Sequence, residues 1–319
     1  MDEIILSICI ATHNHENFIG DLLISVFDQE VSFKFEVNIC DDLSTDNTPQ
    51  ILMKFSEKNP GNIHLILNEE NEGIFKVAKK LFGTSKGKYL CFLDGDDRWT
   101  YSKKIQTQID FLESNLEYAA SFHDAEIIST THTGSTYEQA KVQTHSIFKY
   151  FSQFNQYRPD FFPWDLIMRN IIPTASVIIR KPSDPLFFDK LAGTTLSLSW
   201  IMELHLIKRS KFRYFNEVWS VYNDHPGGVS KKVELIPFKM SNIENMKRLL
   251  NDDYYRYIRK DVYYAISAEY RFALFNPVIK TYNKKFFLKM LFGFIKYSFL
   301  RVYSESRYFY RDYMNKTNN

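Results

Sequence analysis

The sequence predicts an α/β fold in which the strands of a parallel sheet alternate with helices. In the first hundred residues, short apolar runs alternate with segments whose apolar residues recur at helical spacing. Three of the apolar runs end directly in polar or acidic side chains, as strands do where a parallel sheet meets its ligand crevice. Strands and helices of this length require right-handed crossovers, which make the sheet parallel.

The first half of the chain contains four strand predictions, at residues 4–11, 35–40, 63–67 and 88–94. Helical patterns follow them around residues 18–27, 51–55, 77–82 and 103–116. Later elements are less regular and comprise strands at 118–128, 174–180 and 217–222 and a helix at 198–210. A polar loop is predicted from residue 129 to about 143, and helical periodicity dominates from about residue 233.

The amino-acid composition is typical of a folded globular protein. The chain has 319 residues, of which 45% are hydrophobic and 24% charged, enough for one large domain or two folded domains. A net charge of +2 gives no reason to expect a nucleic-acid partner. Cys9, Cys40 and Cys91 are odd in number and lie in apolar runs, so we expect buried thiols without a disulfide framework. The N-terminus enters a strand without a signal-like segment, which predicts a cytoplasmic protein.

An acidic cluster, Asp94-Gly95-Asp96-Asp97, follows the fourth predicted strand. Carboxylate oxygens are the ligands that Mg²⁺ and Mn²⁺ prefer, and such ions keep positions open for substrate phosphates. The cluster therefore predicts a site for a metal and a diphosphate. The alternative is an Asp-Gly turn capped by aspartates.

Polar residues after the first two strands suggest a nucleotide site. Asp42 ends the second strand, where a carboxylate is able to accept the imide N–H of uracil or a ribose hydroxyl. His13 follows the first strand and is a candidate for stacking on a base, although a solvated loop histidine is equally ordinary. Ser44, Thr45 and Asp46 are interpreted as N-caps of the next helix.

Four motifs in this order resemble the family 2 glycosyltransferases, which have the GT-A nucleotide-sugar fold. The motifs are Ser7-Ile8-Cys9-Ile10-Ala11-Thr12-His13-Asn14, Cys40-Asp41-Asp42-Leu43-Ser44-Thr45-Asp46, Gly87-Lys88-Tyr89 and Leu93-Asp94-Gly95-Asp96-Asp97. The resemblance covers roughly residues 4–230. Its later part includes Asn170, Thr174-Ala175-Ser176 and Tyr222-Asn223-Asp224-His225, which is similar to the family's Tyr-Arg-x-His element.

The resemblance implies inverting transfer of a sugar from a nucleotide-sugar donor, usually a UDP-sugar, with Mn²⁺ or Mg²⁺ on the diphosphate. It assigns donor binding to the following residues: Ala11, His13, Asp42, Gly73, Asp94 and Asp96. Asp96 is the expected metal ligand, and Asp94 faces the ribose and the metal's waters. Asp97, a catalytic candidate, faces either the donor sugar or the groups that surround the metal's ligands. His225 is either a nitrogen ligand of the metal or diphosphate contact, or a structural histidine.

The sequence departs from the family at the catalytic base. Relatives have an acidic residue before an aromatic at the position where this chain has Ser199-Trp200, and a serine hydroxyl is too weakly basic for the role. Glu203 lies four residues later, on the same face of the predicted helix, and is our candidate general base. Asp184 and Asp189 are weaker candidates.

The end of the chain combines aromatic and basic residues. Residues 286–300 are largely apolar and are flanked by lysines and arginines, too short and too charged a segment to span a bilayer. They predict either an interfacial helix on anionic lipid or a helix packed on the main domain. We therefore predict a GT-A domain at 1–232, with a nucleotide-binding half (1–97) and an acceptor half (98–232), and a helical basic-aromatic region at 233–319.

These inferences together predict a glycosyltransferase of surface polysaccharide or glycan biosynthesis. The expected acceptor is a saccharide, in lipid-linked form, and the expected location is the cytoplasm, at the inner face of the membrane. Two alternatives remain open. One is a nucleotide-sugar-binding partner that has lost catalysis, as Ser199 suggests; the other, nucleotidyl transfer to a sugar phosphate, lacks the glycine-rich basic loop that it needs.

Overall fold

A computed structural model describes residues 3–129, 158–194, 196–228 and 234–303 of the chain. It divides into two compact units that interleave along the sequence. The sheet unit comprises Met1–Phe162, Ile171–Ala192 and Ser210–Gly228, and the helical unit comprises Pro163–Asn170, Gly193–Arg209 and Val229–Asn319. The functional division of the chain at residues 97 and 232 stays a prediction.

The parallel half of the sheet follows the predicted alternation. Its strands are β1 (Ile4–Thr12), β2 (Lys34–Asp41), β3 (Ile63–Leu67) and β4 (Tyr89–Asp94). The helices between them are α1 (Ile19–Phe27), α2 (Thr48–Lys58) and α3 (Ile74–Thr84). The strands lie in the order β3-β2-β1-β4 with every neighbouring pair parallel, so the carboxyl ends of all four meet at one edge.

The other half of the sheet is mixed and contains both parallel and antiparallel pairs. Its strands are β5 (Arg98–Trp99), β6 (Tyr118–Ser129), β7 (Asp160–Phe161), β8 (Ile178–Arg180) and β9 (Lys211–Asp224), and α4 (Lys104–Ser114) precedes β6. The short β8 lies antiparallel between β4 and β6, and β6 pairs in parallel with β9. Both β5 and β7 pair antiparallel with β9.

Several predicted boundaries were wrong. The strand predicted at 217–222 is the middle of the longer β9, and residues 174–176 form a single 3₁₀ turn before β8 begins. Helix α2 begins at Thr48, so Ser44 and Thr45 do not cap it. Apart from Ser129, the predicted polar loop lies outside the described residues.

The core of the sheet unit explains why the first strands and helices could be predicted from the sequence. Leu22, Leu23 and Val26 on one face of α1 are fully buried together with Ile8 and Ile10 of β1. Burying a side chain of this size stabilises the folded state by about 1.5 to 3 kcal/mol. Core positions are therefore apolar, and the spacing of apolar residues in the sequence shows which face of each helix and strand lies on the core. The three cysteines are all described, buried and free, as predicted.

The C-terminal region of the helical unit is helical, as predicted. The unit contains α5 (Pro163–Leu166), α6 (Leu198–Ile207), α7 (Leu235–Leu249), α8 (Asp253–Tyr257), α9 (Arg259–Phe275) and α10 (Lys284–Tyr303). Helix α10 packs on α9 where Gly293 leaves room for the Tyr270 ring, and Tyr297 stacks on that ring at 6.0 Å. Within the described part of the chain, no helix is long and apolar enough to cross a membrane.

Candidate active site

The candidate site is built by loops at the carboxyl ends of β1, β2 and β4. Ala11 pairs with Cys40 on one side and with Asp94 on the other, which places the three strand ends side by side. The carbonyl oxygen of Ala11 accepts a hydrogen bond from the Gly95 N–H at 2.9 Å. Ala11 therefore contributes to the predicted donor site through its backbone and its place in the sheet.

The acidic loop is a turn and a carboxylate cluster at once. The Asp97 N–H donates to the Asp94 carbonyl oxygen at 3.1 Å, so the Asp-Gly turn is present. Asp97 is only 2% exposed, and its Oδ1 has no hydrogen-bond partner among the described residues. Asp94 and Asp96 are partly buried beside it. Three carboxylates at these depths in one turn exceed what turn capping requires, because a buried charge needs a counter-charge.

The three carboxyl groups of this loop differ in the direction in which their surroundings shift their pKa values. Burial and the adjacent Asp96 raise the pKa of Asp94 to about 7, and burial with both neighbours raises the pKa of Asp97 well above its ordinary value. Burial also opposes the charge of Asp96, but the hydrogen bond with His225 and the nearby His15 lower its pKa below the ordinary value. Asp96 is thus the carboxylate that stays ionised.

His225 meets Asp96 as the metal prediction requires. Its Nε2 lies 3.0 Å from Asp96 Oδ2, and its ring packs against Phe18 with a centroid separation of 4.7 Å. The adjacent Asn223, at the end of β9, donates from Nδ2 to the carbonyl oxygen of Asp96 at 2.5 Å. The end of β9 therefore closes the site over the acidic loop.

His15 was not predicted and joins the same cluster. Its Nε2 lies 3.8 Å from Asp96 Oδ2, and single ligand atoms of His15, Asp96 and His225 all lie within 4.8 Å of one another. A donor set of two imidazoles and a carboxylate fits a divalent metal. The sequence signal was present, since His15 follows β1 by three residues, but only the loop geometry distinguishes it from His13.

Asp42 organises the neighbouring loop. Its Oδ1 accepts hydrogen bonds from the Glu72 N–H and from Asn68 Nδ2, and its Oδ2 accepts one from the Gly73 N–H, all at 2.8 Å. Gly73 has a φ of +80°, a conformation that favours glycine, and precedes α3. Asp42 and Gly73 are therefore brought together by a hydrogen bond, while their contact with a nucleotide stays a prediction.

His13 is held against the same segment. Its Nδ1 lies 2.8 Å from the carbonyl oxygen of Asp42, and because a carbonyl oxygen only accepts, Nδ1 is the donor; its Nε2 lies 3.2 Å from Asn14 Nδ2. Asn14 has a left-handed φ of +59°, and its Oδ1 accepts from the Thr45 N–H at 2.7 Å. The residues predicted as helix caps thus tie the loop after β2 to the loop after β1.

Glu203 belongs to the helical unit and is the most deeply buried of the candidate acids. It lies in α6 with no exposed surface, and neither carboxylate oxygen has a hydrogen-bond partner among the described residues. Burial raises its pKa well above the ordinary value. Ser199, one turn earlier, is half-buried. The weaker candidates differ, because Asp184 and Asp189 of the sheet unit form ion pairs with Lys190 and Lys79.

The mixed α/β sheet with its helices matches the fold of solved GT-A glycosyltransferases. The model of Glycosyl transferase family 2 matches residues 7–187. This match covers more than half of the chain, and the chain therefore belongs to family 2 of the glycosyltransferases.

Relatives and solved structures agree with that assignment. The chain is 27% identical over 226 residues to the uncharacterized protein Mb1547 of Mycobacterium bovis, a match that covers 70% of this chain and 60% of the relative. It is 31% identical over 119 residues, 37% of this chain, to an Escherichia coli protein, the UDP-Glc:alpha-D-GlcNAc-diphosphoundecaprenol beta-1,3-glucosyltransferase WfgD, of which it covers 45%. The chain thus spans about three-fifths of the mycobacterial relative and less of the other.

The fold is similar to that of S. aureus TarS in complex with UDP-GlcNAc, with a TM-score of 0.64. The alignment covers 92% of this chain and 81% of TarS at 17% identity, so it supports the fold alone. The prediction of a GT-A fold with a helical C-terminal region is confirmed.

Proposed function

We propose that this protein is an inverting, metal-dependent glycosyltransferase that moves a sugar from a UDP-sugar to a saccharide acceptor. The observation that carries the proposal is the meeting of Asp96, His225 and His15 at the edge of the sheet where the strands β1, β2 and β4 end. Ligands of open α/β sheets bind at this edge. The three side chains lie beside Asp94 and Asp97, whose raised pKa values are typical of functional carboxyl groups.

The chain's own residues divide the work on the donor. Asp96 and His225 would hold a divalent metal, Mn²⁺ or Mg²⁺, which would supply Lewis-acid stabilisation of the leaving diphosphate. Asp42 fixes the loop of Glu72 and Gly73 and offers its remaining lone pairs to the uracil or ribose. Asp94 faces the ribose side and Asp97 the donor sugar, where a buried carboxylate is able to orient hydroxyl groups.

We propose Glu203 as the general base in place of the acidic residue that Ser199 replaces. A buried carboxyl without a partner is costly, and such groups are retained where proton transfer requires them. A raised pKa makes the ionised form of Glu203 a stronger base and lowers the fraction that is ionised at neutral pH, so in this role the minor ionised form takes the proton of an acceptor hydroxyl.

We propose a lipid-linked acceptor and peripheral binding to the cytoplasmic face of a membrane. Helix α10 carries an apolar stripe, defined as Leu288, Phe292, Ile295, Phe299 and Val302, whose members are 50 to 75% exposed. The spacing of four and three residues places them on one face. Three exposed lysines, Lys285, Lys289 and Lys296, lie along one edge of that face. With a turn of about 100° per residue, they lie roughly 60 to 100° around the helix axis from the middle of the apolar stripe. Apolar residues beside cations suit an anionic lipid surface.

A second candidate function is a nucleotide-sugar-binding partner without turnover. It is favoured by one observation, the serine at position 199, where the resemblance to the family implies an acidic residue. The site would then bind the donor and present it, or report its level, within a biosynthetic complex.

Calorimetric titration with UDP, with Mn²⁺ and with a chelator, tests the site. We expect affinity to depend on Mn²⁺, because the diphosphate and the acidic loop repel each other without a cation, and Asp96→Ala to abolish that dependence. The control is Asp110→Ala, which removes an exposed aspartate of α4. Equal affinity with and without Mn²⁺ contradicts the metal proposal. Release of UDP from a panel of UDP-sugars with saccharide acceptors then separates the candidates, since the binding partner gives none.

A further inference from the structure

The position of His15 is not explained by the motifs that place a metal on Asp96 and His225. Its ring approaches His225 edge-on, with a centroid separation of 6.2 Å and an interplanar angle of 81°. The Nε2 atoms of both rings face the same oxygen, Asp96 Oδ2, at 3.8 Å and 3.0 Å. Ligands about 2.1 Å from one metal ion lie roughly 3 to 4 Å from each other, so these separations suit a shared ion.

The loop that carries His15 is fixed on both sides of the residue. The His15 N–H donates to Thr48 Oγ1 at 2.9 Å, and the next N–H, of Glu16, donates to Asp46 Oδ2 at 3.0 Å. In the side chain, Nδ1 lies 3.2 Å from Thr12 Oγ1. A proton on Nδ1 that is donated to this hydroxyl leaves the lone pair on Nε2, which is the tautomer of a metal ligand.

Gly95 is required for this approach. A Cβ atom at position 95 would lie 2.6 Å from His15 Nδ1 and 2.7 Å from Thr12 Oγ1. The glycine between Asp94 and Asp96 therefore lets the acidic loop pack directly on the ring of His15. Because an ordinary side chain would separate the two loops, the contact between His15 and Asp96 depends on this residue.

We propose that His15 is a third protein ligand of the metal and that it sets the preference of the site for Mn²⁺ and related transition metals over Mg²⁺. The inference rests on the proposed function, since it concerns the same ion. Two imidazole nitrogens and one carboxylate form a set that suits transition metals, whereas Mg²⁺ prefers oxygen ligands and water. Three protein ligands leave positions open on an octahedral ion for the oxygens of a diphosphate.

Two substitutions of His15 separate its roles. In His15→Asn, the amide occupies the place of Nδ1 and keeps the contact with Thr12, but the ligand atom Nε2 is lost. In His15→Gln, the longer amide brings an oxygen to the place of Nε2. The control is His64→Asn, which removes an exposed histidine of β3.

The measurements use the full chain without nucleotide: titration of Mn²⁺ and of Mg²⁺ by calorimetry, and electron spin echo spectroscopy of bound Mn²⁺, which detects coordinated imidazole nitrogens. We expect coupling to two imidazoles in the parent and one in His15→Asn, with Mn²⁺ affinity lowered at least tenfold and Mg²⁺ affinity changed by less than about threefold. His15→Gln should lower the ratio of the affinity for Mn²⁺ to the affinity for Mg²⁺. Thermal denaturation checks that each variant is folded.

The outcomes distinguish failure of the His15 proposal from failure of the proposed metal-dependent function. Suppose that His15→Asn binds Mn²⁺ with the affinity of the parent and shows the same number of imidazole couplings as the parent. His15 is then not a ligand and the inference fails, while a metal site of Asp96 and His225 remains. If Asp96→Ala also binds Mn²⁺ with parent affinity, the metal site itself is wrong. Loss of one coupling in His15→Asn alone supports the inference, whichever UDP-sugar the enzyme uses.

Discussion

The side-chain amide of Asn223 donates a hydrogen bond to the backbone carbonyl oxygen of Asp96 at 2.5 Å. Asn223 is 8% exposed, and its backbone also forms a hydrogen bond with the carboxyl group of Asp97. One residue at the end of β9 thus fixes the main chain of the acidic loop and one of its side chains. Asn223 is a positioning residue, because it acts on the metal site through Asp96.

Asn223→Ala should therefore weaken metal binding without removing a ligand. We expect a loss of about tenfold in Mn²⁺ affinity, as is usual when a group that orients a ligand is removed. Calorimetry measures the affinity, and Asn216→Ala, at an exposed asparagine of the same strand, is the control. Parent affinity in Asn223→Ala would mean that the loop keeps its shape without this bond.

The Glu203 hypothesis predicts a separation of turnover from binding. Glu203→Gln keeps the shape of the side chain and removes its basicity, so turnover should fall by about 10²- to 10⁴-fold while UDP affinity is unchanged. The measurement is sugar transfer to an identified acceptor. Ser199→Asp in the Glu203→Gln background should restore part of the rate, since it rebuilds the arrangement of relatives.

The opposite result is equally clear. If Glu203→Gln transfers sugar at the parent rate and is more stable to denaturation, Glu203 is a buried acid that costs stability, and the base lies elsewhere. Its complete burial in α6 makes the stability measurement informative.

Local and long-range features of the chain differed in how well they could be predicted. The alternation of β1 to β4 with their helices was predictable because each element records the core in its own periodicity. The placement of β8 between β4 and β6 was not, because three residues carry no periodic signal and their partners lie about 60 to 90 positions away.

The same distinction holds within the candidate site. The acidic loop and Asp42 were found because they follow strands directly, and strand ends converge in a parallel sheet. His15 and Asn223 were missed, since their roles arise from contacts with Asp96 across 81 and 127 positions of the sequence. The family resemblance paired Asp96 with His225 across 129 positions, but its motifs assigned no role to His15 or Asn223.

The membrane hypothesis predicts that α10 binds anionic vesicles. Replacing Lys285, Lys289 and Lys296 together by Gln should lower affinity for phosphatidylglycerol-rich vesicles about 100-fold at low salt, since each basic residue contributes about 1 kcal/mol. Phe292→Ser with Ile295→Ser should also release the protein. Co-sedimentation measures binding, and Leu116→Ser, at a 74% exposed leucine of the sheet unit, is the control.

The apolar stripe has the spacing of a helix that pairs with a second helix, and the experiment includes that outcome. If vesicles do not bind the parent, while sedimentation equilibrium detects a dimer that the stripe variants abolish, the stripe is an interface between two copies and the membrane hypothesis is wrong. Binding that persists at high salt and in both sets of variants would contradict it as well.

The sheet unit buries one lysine, Lys104, completely among its described residues. Lys104 in α4 has no exposed surface, and its Nζ lies 4.2 Å from the centroid of the Trp99 ring with no hydrogen-bond partner among the described residues. Burial lowers its pKa to about 8, and the titratable groups that face it are Cys91 and His123. An unfolded lysine titrates near 10.4, so between about pH 8 and 10.4 the unfolded chain binds more protons than the folded one. Stability therefore gains from Lys104 as the pH rises through this window, and below pH 8 the buried charge costs roughly 3 kcal/mol.

Lys104→Met removes that cost while filling the same space, so it should raise the free energy of unfolding at pH 7 by up to roughly 3 kcal/mol, less the lost contact with Trp99. The gain should shrink as the pH approaches 10.4, because the parent then folds with a neutral lysine. Urea denaturation at pH 7, 8, 9 and 10 measures the difference between parent and variant, which cancels the titration of tyrosines common to both. Lys103→Met is the matched control, since Lys103 is 58% exposed and should give a small difference that is nearly independent of pH. A Lys104→Met protein that is less stable than the parent at pH 7 would establish that the ammonium group has a stabilising partner, in contradiction to the burial argument.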